Sequence, residues 1–590
     1  MLRPGAPPPS DLSLGHRQQV VPDLVGEEHA RFARAVLNRV PGGADRLLYA
    51  RVDVARGERG ELLLLELECI EPRLFLEHAP ARAGAVAAAS AGLAGPRRRR
   101  GGAQWLPMTS PISFGTDGWR AVVADDFTYE RVRAVAQGVA WYLEGDRRGA
   151  VVGHDTRFSA ELFAREVARV LAANGQHVLL LDHPVPTPTI TWTVVERKQA
   201  GAVAVTASHN PAEFNGLKYK PDYGGSASPE VVARLEELTA RALEEGVKAI
   251  PYDDAVASGR VEVFDPVPDY LRQVGRLVDL PRLRDAGLRI LHEPMYGSGM
   301  GLIREAVGGG RTTVTELHAE RNPGFAGMHP EPIGKYMPEA MAKMAGGGFD
   351  LCIANDGDSD RVGIIDETGR FITQLEVMAL LAMYLLEKRG LRGHLIRSLT
   401  TGVMLDRLGE RFDVPVIETP VGFKYIGPKM IETDALLAGE ESGGFAFRGH
   451  IPERDGIVAG LTVAEMVVAY EMPLSAVLQH LVDLVGPHSY ARHDIRFERT
   501  DYEERKRQVV ERMRGQQPAE IAGVAVTGTR SDDGFKFLLA DTSWVLVRMS
   551  GTEPLMRVYA EAASPERVDE LLHAMEEMVG IAPPAAGGGG

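Results

Sequence analysis

From Pro111 onward one unit recurs along the chain: a short apolar strand runs into a polar, glycine-rich loop, and a helical pattern follows. Examples are "GAVVGHDTRF", "AGAVAVTASHNP", "DLCIANDGDSD" and "DALLAGEESGG". Buried strands that alternate with helices predict an α/β fold, with parallel sheets covered on both faces. Ligands of such folds bind beyond the carboxyl ends of the strands, so these loops hold the candidate functional residues.

Two parts of the chain depart from this unit. Residues 1–108 contain "RLLYARVDVA" and "GELLLLELECIE", which predict a strand pair, and end in an Ala/Gly stretch with four arginines that is typical of a linker. After about Arg492 the pattern is α+β, with a charged helix and antiparallel strands joined by turns such as Asp533-Gly534. Residues 583–590 predict a disordered tail.

Composition narrows the classes of protein. A chain of 590 residues is too long for one hydrophobic core, which predicts several domains. The net charge of −15 argues against a nucleic-acid or anionic-membrane partner but leaves room for a local phosphate pocket. Cys69 and Cys352 lie far apart, and no early stretch has signal-peptide or membrane-spanning length, so we expect a cytoplasmic protein.

The strongest acidic cluster is "NDGDSDRVG", in which Asp356, Asp358 and Asp360 follow a strand directly. Oxygen ligands at this density suit Mg²⁺ or Ca²⁺. An EF-hand would use Glu367 at its twelfth position, but it needs glycine where Arg361 stands, and a helix rather than a strand should precede it. A solvated turn is the remaining alternative, although three carboxylates this close repel one another without a cation.

The segment "TASHNP" places Ser208 at the abrupt end of a strand, as a turn residue or as a nucleophile. Asn-Pro favours turns. A Ser–His triad fits poorly, because His209 is the adjacent residue and no Gly-x-Ser-x-Gly surrounds the serine. A serine that carries a phosphoryl group fits better. Its charge of about −1.5 to −2 needs a divalent cation, which the aspartate loop would hold, and donors, which Lys218 or Lys220 could supply.

Three further loops carry suggestive side chains. "GEESGG" offers Glu440 and Ser442, which suit the vicinal hydroxyls of a sugar. "FGTDGWR" places Arg120 beside a glycine-rich turn. "RMSGTEPLMR" could cradle a phosphate with Arg548, Ser550, Gly551, Thr552 and Arg557. Taken singly, each loop is also compatible with a purely structural turn.

Together, "FGTDGWR", "TASHNP", "DGDSDR", "GEESGG" and "RMSGTEPLMR" occur in the order and spacing of the α-D-phosphohexomutases, which the chain resembles over about residues 109–580. The resemblance implies three related α/β domains, each a three-layer sandwich, and a C-terminal α+β domain around a central cleft. The corresponding ranges are 109–250, 251–370, 371–488 and 489–582.

The resemblance also implies a mechanism and the residues that perform it. A phosphoryl group on Ser208 would pass to a hexose phosphate through a hexose 1,6-bisphosphate, which would also act as activator. Mg²⁺ would be held by Ser208, Asp356, Asp358 and Asp360. Lys218 would be the base, helped by His209 and Arg120, and the substrate would contact Arg361, Lys424, Glu440, Ser442, Arg548, Ser550, Gly551, Thr552 and Arg557.

The substrate class follows from the sugar loop. Its Glu-Glu-Ser resembles the glucose-type members, so we expect a phosphoglucomutase with small-molecule sugar phosphates as its partners, acting as a monomer or homodimer. The alternatives are a phosphomannomutase or dual-specificity enzyme and, less favoured, a phosphoglucosamine mutase. A silent sugar-phosphate-binding regulator and a phosphatase are disfavoured, because the serine, the aspartates and the phosphate loop all occur together.

Nothing in this family requires residues 1–108. Their "LLYARVDVARGERGELLLLELECIEPRLFLEHAP" resembles the closing segment of ATP-grasp ligases, with Glu66 and Glu68 on one face of a strand as metal-binding carboxylates. Because the nucleotide-binding subdomains do not precede it, we interpret the segment as a fusion remnant or an incorrectly chosen start.

Overall fold

The computed structural model describes residues 111–115, 117–498, 501–515, 518–550 and 554–580, and the backbone of 51–56 and 62–68. The chain divides into two units, Met1–Pro107 and Met108–Gly590. In the first unit β1 (Arg51–Arg56) and β2 (Leu62–Glu68) pair antiparallel, as predicted. The linker, the tail and the side chains of Glu66 and Glu68 lie outside the described residues.

The first domain of the second unit is a six-stranded sheet in the order β3-β7-β6-β4-β5-β8. Its strands are β3 (Trp119–Val122), β4 (Ala150–His154), β5 (Val178–Leu181), β6 (Gly201–Val205), β7 (Phe214–Pro221) and β8 (Val261–Phe264). Its helices are α1 (Tyr129–Tyr142), α2 (Ala160–Ala173), α3 (Thr187–Glu196), α4 (Pro229–Glu245) and α5 (Tyr252–Ala257).

The second domain has a five-stranded sheet in the order β10-β9-β11-β12-β13. Its strands are β9 (Arg289–Glu293), β10 (Thr313–Glu316), β11 (Leu351–Asn355), β12 (Val362–Asp366) and β13 (Phe371–Ile372). Its helices are α6 (Val267–Leu277), α7 (Leu280–Ala286), α8 (Leu302–Val307) and α9 (Pro338–Ala345).

The third domain has a four-stranded sheet in the order β15-β14-β16-β17. Its strands are β14 (Leu395–Ser398), β15 (Val416–Thr419), β16 (Leu437–Gly439) and β17 (Phe445–Phe447). Its helices are α10 (Gln374–Met383), α11 (Met404–Phe412), α12 (Phe423–Thr433), α13 (Gly456–Tyr470) and α14 (Leu474–Val485).

The three sheets share one departure from the predicted parallel arrangement. β6 and β7, β11 and β12, and β16 and β17 are antiparallel neighbours, whereas the other strands next to β6, β11 and β16 run parallel to them. The prediction is wrong for the second strand of each pair because a connection of a few residues can form a hairpin but not a parallel crossover. These three hairpin loops are the ones that carry Ser208, the aspartates and Glu440.

The fourth domain is an antiparallel sheet with helices, as predicted, in the order β18-β23-β22-β21-β20-β19. Its strands are β18 (Ser489–Arg496), β19 (Glu520–Ile521), β20 (Val524–Arg530), β21 (Phe535–Leu539), β22 (Trp544–Met549) and β23 (Leu555–Ala562). Its helices are α15 (Tyr502–Gly515) and α16 (Pro565–Val579). The turn at Asp533-Gly534 joins β20 to β21, with Gly534 at a φ of +107°.

One apolar core runs through the three α/β domains, and the fourth domain has its own. Helix α13 is buried along almost its whole length within the shared core. In the described part of the chain no single helix is long and apolar enough to cross a bilayer, and only α13 and α14 together, bent by 85°, pass that test.

Candidate active site

Ser208 follows β6 in a left-handed backbone conformation, with a φ of +52°, that residues with a side chain rarely adopt. Two hydrogen bonds hold it there. Its backbone N–H donates to Thr206 Oγ1 over 2.8 Å, and its hydroxyl donates to Asp356 Oδ2 over 2.7 Å. The first domain therefore presents the serine directly to the acidic loop of the second.

The imidazole of His209 lies closer to the serine than the sequence suggested. Its Nδ1 is 3.4 Å from Ser208 Oγ. Burial, together with Arg361 and Arg120, holds the pKa of His209 well below its usual value. The serine proton is nevertheless directed to Asp356, so the geometry is not that of a Ser–His triad.

The loop between β11 and β12 brings the three aspartates together. Carboxylate oxygens of Asp356, Asp358 and Asp360 all lie within 4.8 Å of one another, and the three residues are fully buried. The tight course of the loop depends on Gly357, because a Cβ atom there would lie 2.6 Å from the Ser208 carbonyl oxygen. The EF-hand alternative fails, since Glu367 instead accepts hydrogen bonds from Ser475.

The donor set of this cluster fits a hard divalent cation. One oxygen of each carboxylate is held by the protein: Asp356 Oδ1 by the Arg361 N–H, Asp358 Oδ2 by Thr187 and Asp360 Oδ2 by Lys218. The other oxygens of Asp358 and Asp360 are buried without a hydrogen-bond partner. Unpaired buried carboxylate oxygens are costly, and Mg²⁺ is the kind of ligand that satisfies them.

The pKa values of Asp356 and Asp358 are shifted in opposite directions. Burial and the two neighbouring carboxylates raise the pKa of Asp356 well above its usual value. Burial would also raise the pKa of Asp358, but Lys218 and the hydrogen bond from Thr187 outweigh it and hold that pKa below its usual range. Such crowding of negative charge is relieved by a bound cation.

Lys218 stands on β7 with its ammonium among carboxylates. Its Nζ lies 2.8 Å from Asp358 Oδ2, 3.2 Å from Asp360 Oδ2 and 3.0 Å from Asp117 Oδ2. Burial lowers the pKa of Lys218, but the three carboxylates outweigh it and hold the pKa above its usual value. In this arrangement Lys218 is charged and donates hydrogen bonds to Asp358 and Asp360.

A buried ionic network around Lys218 joins the three α/β domains. Lys220 lies 3.0 Å from Asp117 and 2.7 Å from Glu453. Arg454 lies 2.5 Å from Asp117 and 3.1 Å from Asp360. Sequence reasoning missed Asp117, Glu453 and Arg454; the signal that could have drawn attention to the network is the Lys-x-Lys of β7, since alternate strand residues share one face.

Arg120 and Arg361 are both close enough to the serine loop to affect His209 electrostatically. Arg120 Nη1 donates to Asn210 Oδ1 over 2.7 Å, next to the turn that carries Ser208. Arg361 Nη1 donates to Glu331 Oε1 over 3.1 Å. A further residue that the sequence did not indicate, His329, has its ring 6.3 Å from that of His209.

The sugar-loop candidates lie between β16 and β17. Glu440 Oε1 accepts a hydrogen bond of 2.7 Å from the Gly422 N–H, which ties this loop to the segment that carries Lys424. Burial raises the pKa of Glu440 to about 7, against the opposing effect of Arg454. The hydroxyl of Ser442 is buried without a hydrogen-bond partner, and Lys424 Nζ lies 5.2 Å from the Tyr425 ring. An unpaired hydroxyl beside a protonatable carboxyl suits a polyhydroxyl ligand.

The phosphate-clamp candidates lie at the end of β22 and on β23. Arg548 and Arg557 are directly opposite each other in the antiparallel ladder. Like charges in that position destabilise a sheet unless carboxylates or a bound anion balance them, and Asp533 lies 2.9 Å from Arg548 while Asp494 lies 3.6 Å from Arg557. The Ser550 N–H donates to the Leu555 carbonyl, and Gly551 and Thr552 lie outside the described residues.

A strand-end serine hydrogen-bonded to one of three clustered carboxylates, with buried cations around them, has the groups that metal-assisted phosphoryl transfer requires. Four family models cover the second unit of the chain. They are described as phosphoglucomutase/phosphomannomutase, alpha/beta/alpha domains I, II and III and C-terminal domain, and match residues 111–245, 268–369, 375–485 and 495–578.

Individual proteins agree with these models. A phosphoglucomutase/phosphomannomutase of Thermococcus kodakarensis is 28% identical, over 78% of this chain and 96% of that protein. A phosphopentomutase of the same organism is 30% identical, over 78% and 95%. A solved structure from Thermus thermophilus, provisionally described as a phosphomannomutase, is 34% identical, covers 80% of this chain and 100% of its own, and has a TM-score of 0.70.

The chain belongs to the phosphoglucomutase/phosphomannomutase family, the α-D-phosphohexomutases. It is an enzyme, an intramolecular phosphotransferase of the isomerase class. The resemblance drawn from the five motifs is thereby confirmed, as is the fold of three α/β domains with a C-terminal α+β domain. The silent-regulator alternative is set aside.

Proposed function

We propose that this enzyme interconverts glucose 1-phosphate and glucose 6-phosphate through a phosphorylated Ser208 and glucose 1,6-bisphosphate. One observation carries the proposal: the Ser208 hydroxyl hydrogen-bonds Asp356 inside a buried cluster of three aspartates. A hydroxyl so placed is where a phosphoryl group and a divalent cation would meet.

Asp356, Asp358, Asp360 and an oxygen on Ser208 would hold Mg²⁺. When bound, the ion would supply positive charge that balances the phosphoryl group during transfer. The outer residues would orient the ligands, because Thr187 and Lys218 already hold the second oxygen of Asp358.

The reaction exchanges one phosphate ester for another. The bond between phosphorus and Ser208 Oγ breaks, a bond to the free sugar hydroxyl forms, and the hydroxyl proton must leave. We assign this proton transfer to Lys218, with Arg120 and His209 as helpers. The charged Lys218 would give its proton to Ser208 Oγ as the phosphoryl group leaves, and the neutral amine would then take the proton of the sugar hydroxyl, which restores the ammonium.

The bisphosphate must turn around before the second transfer, so the site needs a phosphate clamp distant from Ser208. We assign the clamp to Arg548, Ser550, Gly551, Thr552 and Arg557. The facing arginines support this assignment, since they gather positive charge at one point of the sheet. Arg361 would contact the phosphoserine side, and hexose 1,6-bisphosphate would act as activator by restoring phosphate to Ser208.

The choice of sugar rests on the loop between β16 and β17. We assign the sugar hydroxyls to Glu440 and Ser442, with Lys424 nearby, and favour glucose because of the Glu-Glu-Ser sequence. Relatives of similar identity carry names for different sugars, so mannose, glucosamine and pentose phosphates are the competing substrates.

The experiment is a coupled assay with Mg²⁺ and a trace of hexose 1,6-bisphosphate. Glucose, mannose and glucosamine 1-phosphates and ribose 1-phosphate would be offered separately, and we expect the highest kcat/KM with glucose 1-phosphate. Ser208→Ala and Ser208→Gly should both lose most turnover, and glycine also fits the left-handed backbone. Ser258→Ala, remote from the site, is the control. No 6-phosphate product from any hexose and no 5-phosphate product from ribose would refute the mutase assignment.

A further inference from the structure

Arg157 lies in the segment after β4, and its side chain is fully buried, with 0% of it exposed. Its guanidinium donates to four backbone carbonyl oxygens of the serine loop. Nη1 bonds the carbonyls of Pro211 and Phe214 over 2.8 and 2.9 Å, and Nη2 bonds those of Ser208 and Asn210 over 2.6 and 2.5 Å. One side chain thus binds four of the seven backbone carbonyl oxygens of residues 208–214.

A second set of contacts connects Arg157 to the Ser208 amide. Its Nε lies 3.3 Å from Asp155 Oδ2, and the same oxygen accepts a 2.6 Å hydrogen bond from Thr206 Oγ1. Thr206 Oγ1 in turn accepts from the Ser208 N–H. Ser208 is therefore held at both its amide and its carbonyl, which fixes its left-handed conformation.

The serine loop that Arg157 holds also lies against the loop between β11 and β12, which carries the three aspartates. The Ser208 carbonyl oxygen, which Arg157 holds, is so near Gly357 that a Cβ atom there would lie only 2.6 Å from it. The guanidinium carbon lies 5.0 Å from the centre of the Phe325 ring in the second domain. The position of Arg157 thus decides how the serine loop meets the loop of Asp356 and Asp358.

We propose that Arg157 is a positioning residue for phosphoryl transfer: it turns four carbonyl oxygens toward itself and so directs the Ser208 side chain at the metal loop. Carbonyl dipoles turned toward a phosphoryl group would repel its negative charge, and the clamp prevents this. The inference rests on the proposed function, because it assigns Ser208 as the phosphoryl carrier. Arg157 touches neither sugar nor metal in this assignment, so its loss should act on transfer and not on binding.

The kinetic test compares Arg157→Lys and Arg157→Met with wild type. Lysine keeps the charge but lacks the planar fork that reaches four acceptors. A displacement of about 1 Å costs roughly 100-fold in rate, so we expect kcat to fall by about that factor while KM stays within about threefold. The control is Arg131→Lys, another buried arginine of the first domain, paired with Asp126 over 3.2 Å. Unchanged kcat in both Arg157 variants, or equal losses in the control, would overturn the proposal.

A second measurement separates this inference from the proposed function. Amide hydrogen exchange of residues 206–214 should quicken at least tenfold in Arg157→Lys, whereas exchange in α1 and α2 should not change. This readout needs no turnover. If wild type converts no sugar phosphate, the proposed function fails. Slow exchange at residues 206–214 that depends on Arg157 would still show that Arg157 holds the serine loop. Exchange that does not depend on Arg157 would overturn the clamp whatever the activity.

Discussion

The stability that Glu440 contributes to the folded protein depends on pH. Burial raises its pKa to about 7 from an ordinary value of 4.5. Between these values the folded protein retains a proton that the unfolded chain has released. The stability that Glu440 contributes is therefore present below about pH 4.5 and is lost as the pH rises through 7.

We therefore predict a pH-dependent difference between wild type and Glu440→Gln. The isosteric amide has no charge to bury, so the variant should gain up to about 3 kcal/mol relative to wild type between pH 5 and pH 8. Urea denaturation at pH 5, 6, 7 and 8 measures the free energies of unfolding. The exposed Glu237→Gln serves as control, and a gap between Glu440→Gln and wild type that does not widen with pH contradicts the prediction.

Asp356 offers a prediction on metal binding with two opposite signs. Its pKa is raised by burial and by the neighbouring carboxylates, so Asp356→Asn relieves repulsion in the metal-free protein. We expect the thermal unfolding midpoint of Asp356→Asn in EDTA to equal or exceed that of wild type. We also expect Mg²⁺ to stabilise wild type but not the variant. That stabilisation is about 2.7 kcal/mol at 100 times Kd in wild type.

Thermal unfolding with and without Mg²⁺ measures both effects. Asp182→Asn is the matched control, since Asp182, His183 and Asp265 form a second, exposed group of possible ligands. A Mg²⁺ response that survives in Asp356→Asn, or disappears in Asp182→Asn, argues against the cluster as the metal site.

Some residues of the site could be predicted from the sequence and others could not. Ser208 and the aspartates stand in loops directly after apolar strands, where the chain itself indicates a ligand site. Asp117, Arg157 and Arg454 act across the fold, by contacts with residues distant along the chain. Only the packing of the domains brings these partners together, and the Lys-x-Lys of β7 indicates a buried network without identifying its members.

At the scale of elements, the close approach of α13 to β11 depends on Gly460. A Cβ atom there would lie 2.4 Å from Ile353 Cγ2. Although alanine favours helices, we expect Gly460→Ala to destabilise the protein by about 1–3 kcal/mol, because a packed core resists added volume. Gly275→Ala in α6 is the control, since its Cβ would meet Leu280 at an ordinary 3.5 Å and its exposed site should gain about 0.5–1 kcal/mol.

Chemical denaturation of the two variants gives the comparison. Destabilisation of equal size at both glycines would show that helix packing is not what Gly460 provides.

The sequence predicts the direction of the strands that enter the three functional loops correctly, and the direction of the strands that leave them wrongly. Apolar runs of this length indicate a buried strand, but not its direction.

At the scale of the whole molecule, the fourth domain packs against the third through buried charge. Lys536, fully buried on β21, donates to the Leu399 carbonyl over 2.7 Å and to Glu418 over 2.8 Å, and burial lowers its pKa to about 8. Glu418 also pairs with Arg397 and Arg530. One carboxylate thus neutralises cations from both domains.

We predict that substitution of Glu418 destabilises the protein more than substitution of Lys536. Glu418→Leu should destabilise the interface by about 3–5 kcal/mol, because it leaves three cations without their shared carboxylate. Lys536→Met should cost less than about 1 kcal/mol, since methionine fills the space beside Trp544 and Glu418 keeps two arginines. Hydrogen exchange across residues 489–580 reports the interface, and similar losses in both variants would contradict this account.

Ser208 and Asp356, which a hydrogen bond joins, lie 148 positions apart in the chain. The ribosome therefore makes the serine well before the aspartate. A ribosome adding about 5–20 residues per second takes about 7 to 30 seconds to travel from the serine codon to the aspartate codon. Throughout that interval the nascent first domain displays a serine that has no acidic loop to receive it. If Ser208 is the phosphoryl carrier, as proposed, it is made well before it can be phosphorylated, and a ribosome-bound chain halted before residue 350 should remain unphosphorylated in hexose 1,6-bisphosphate.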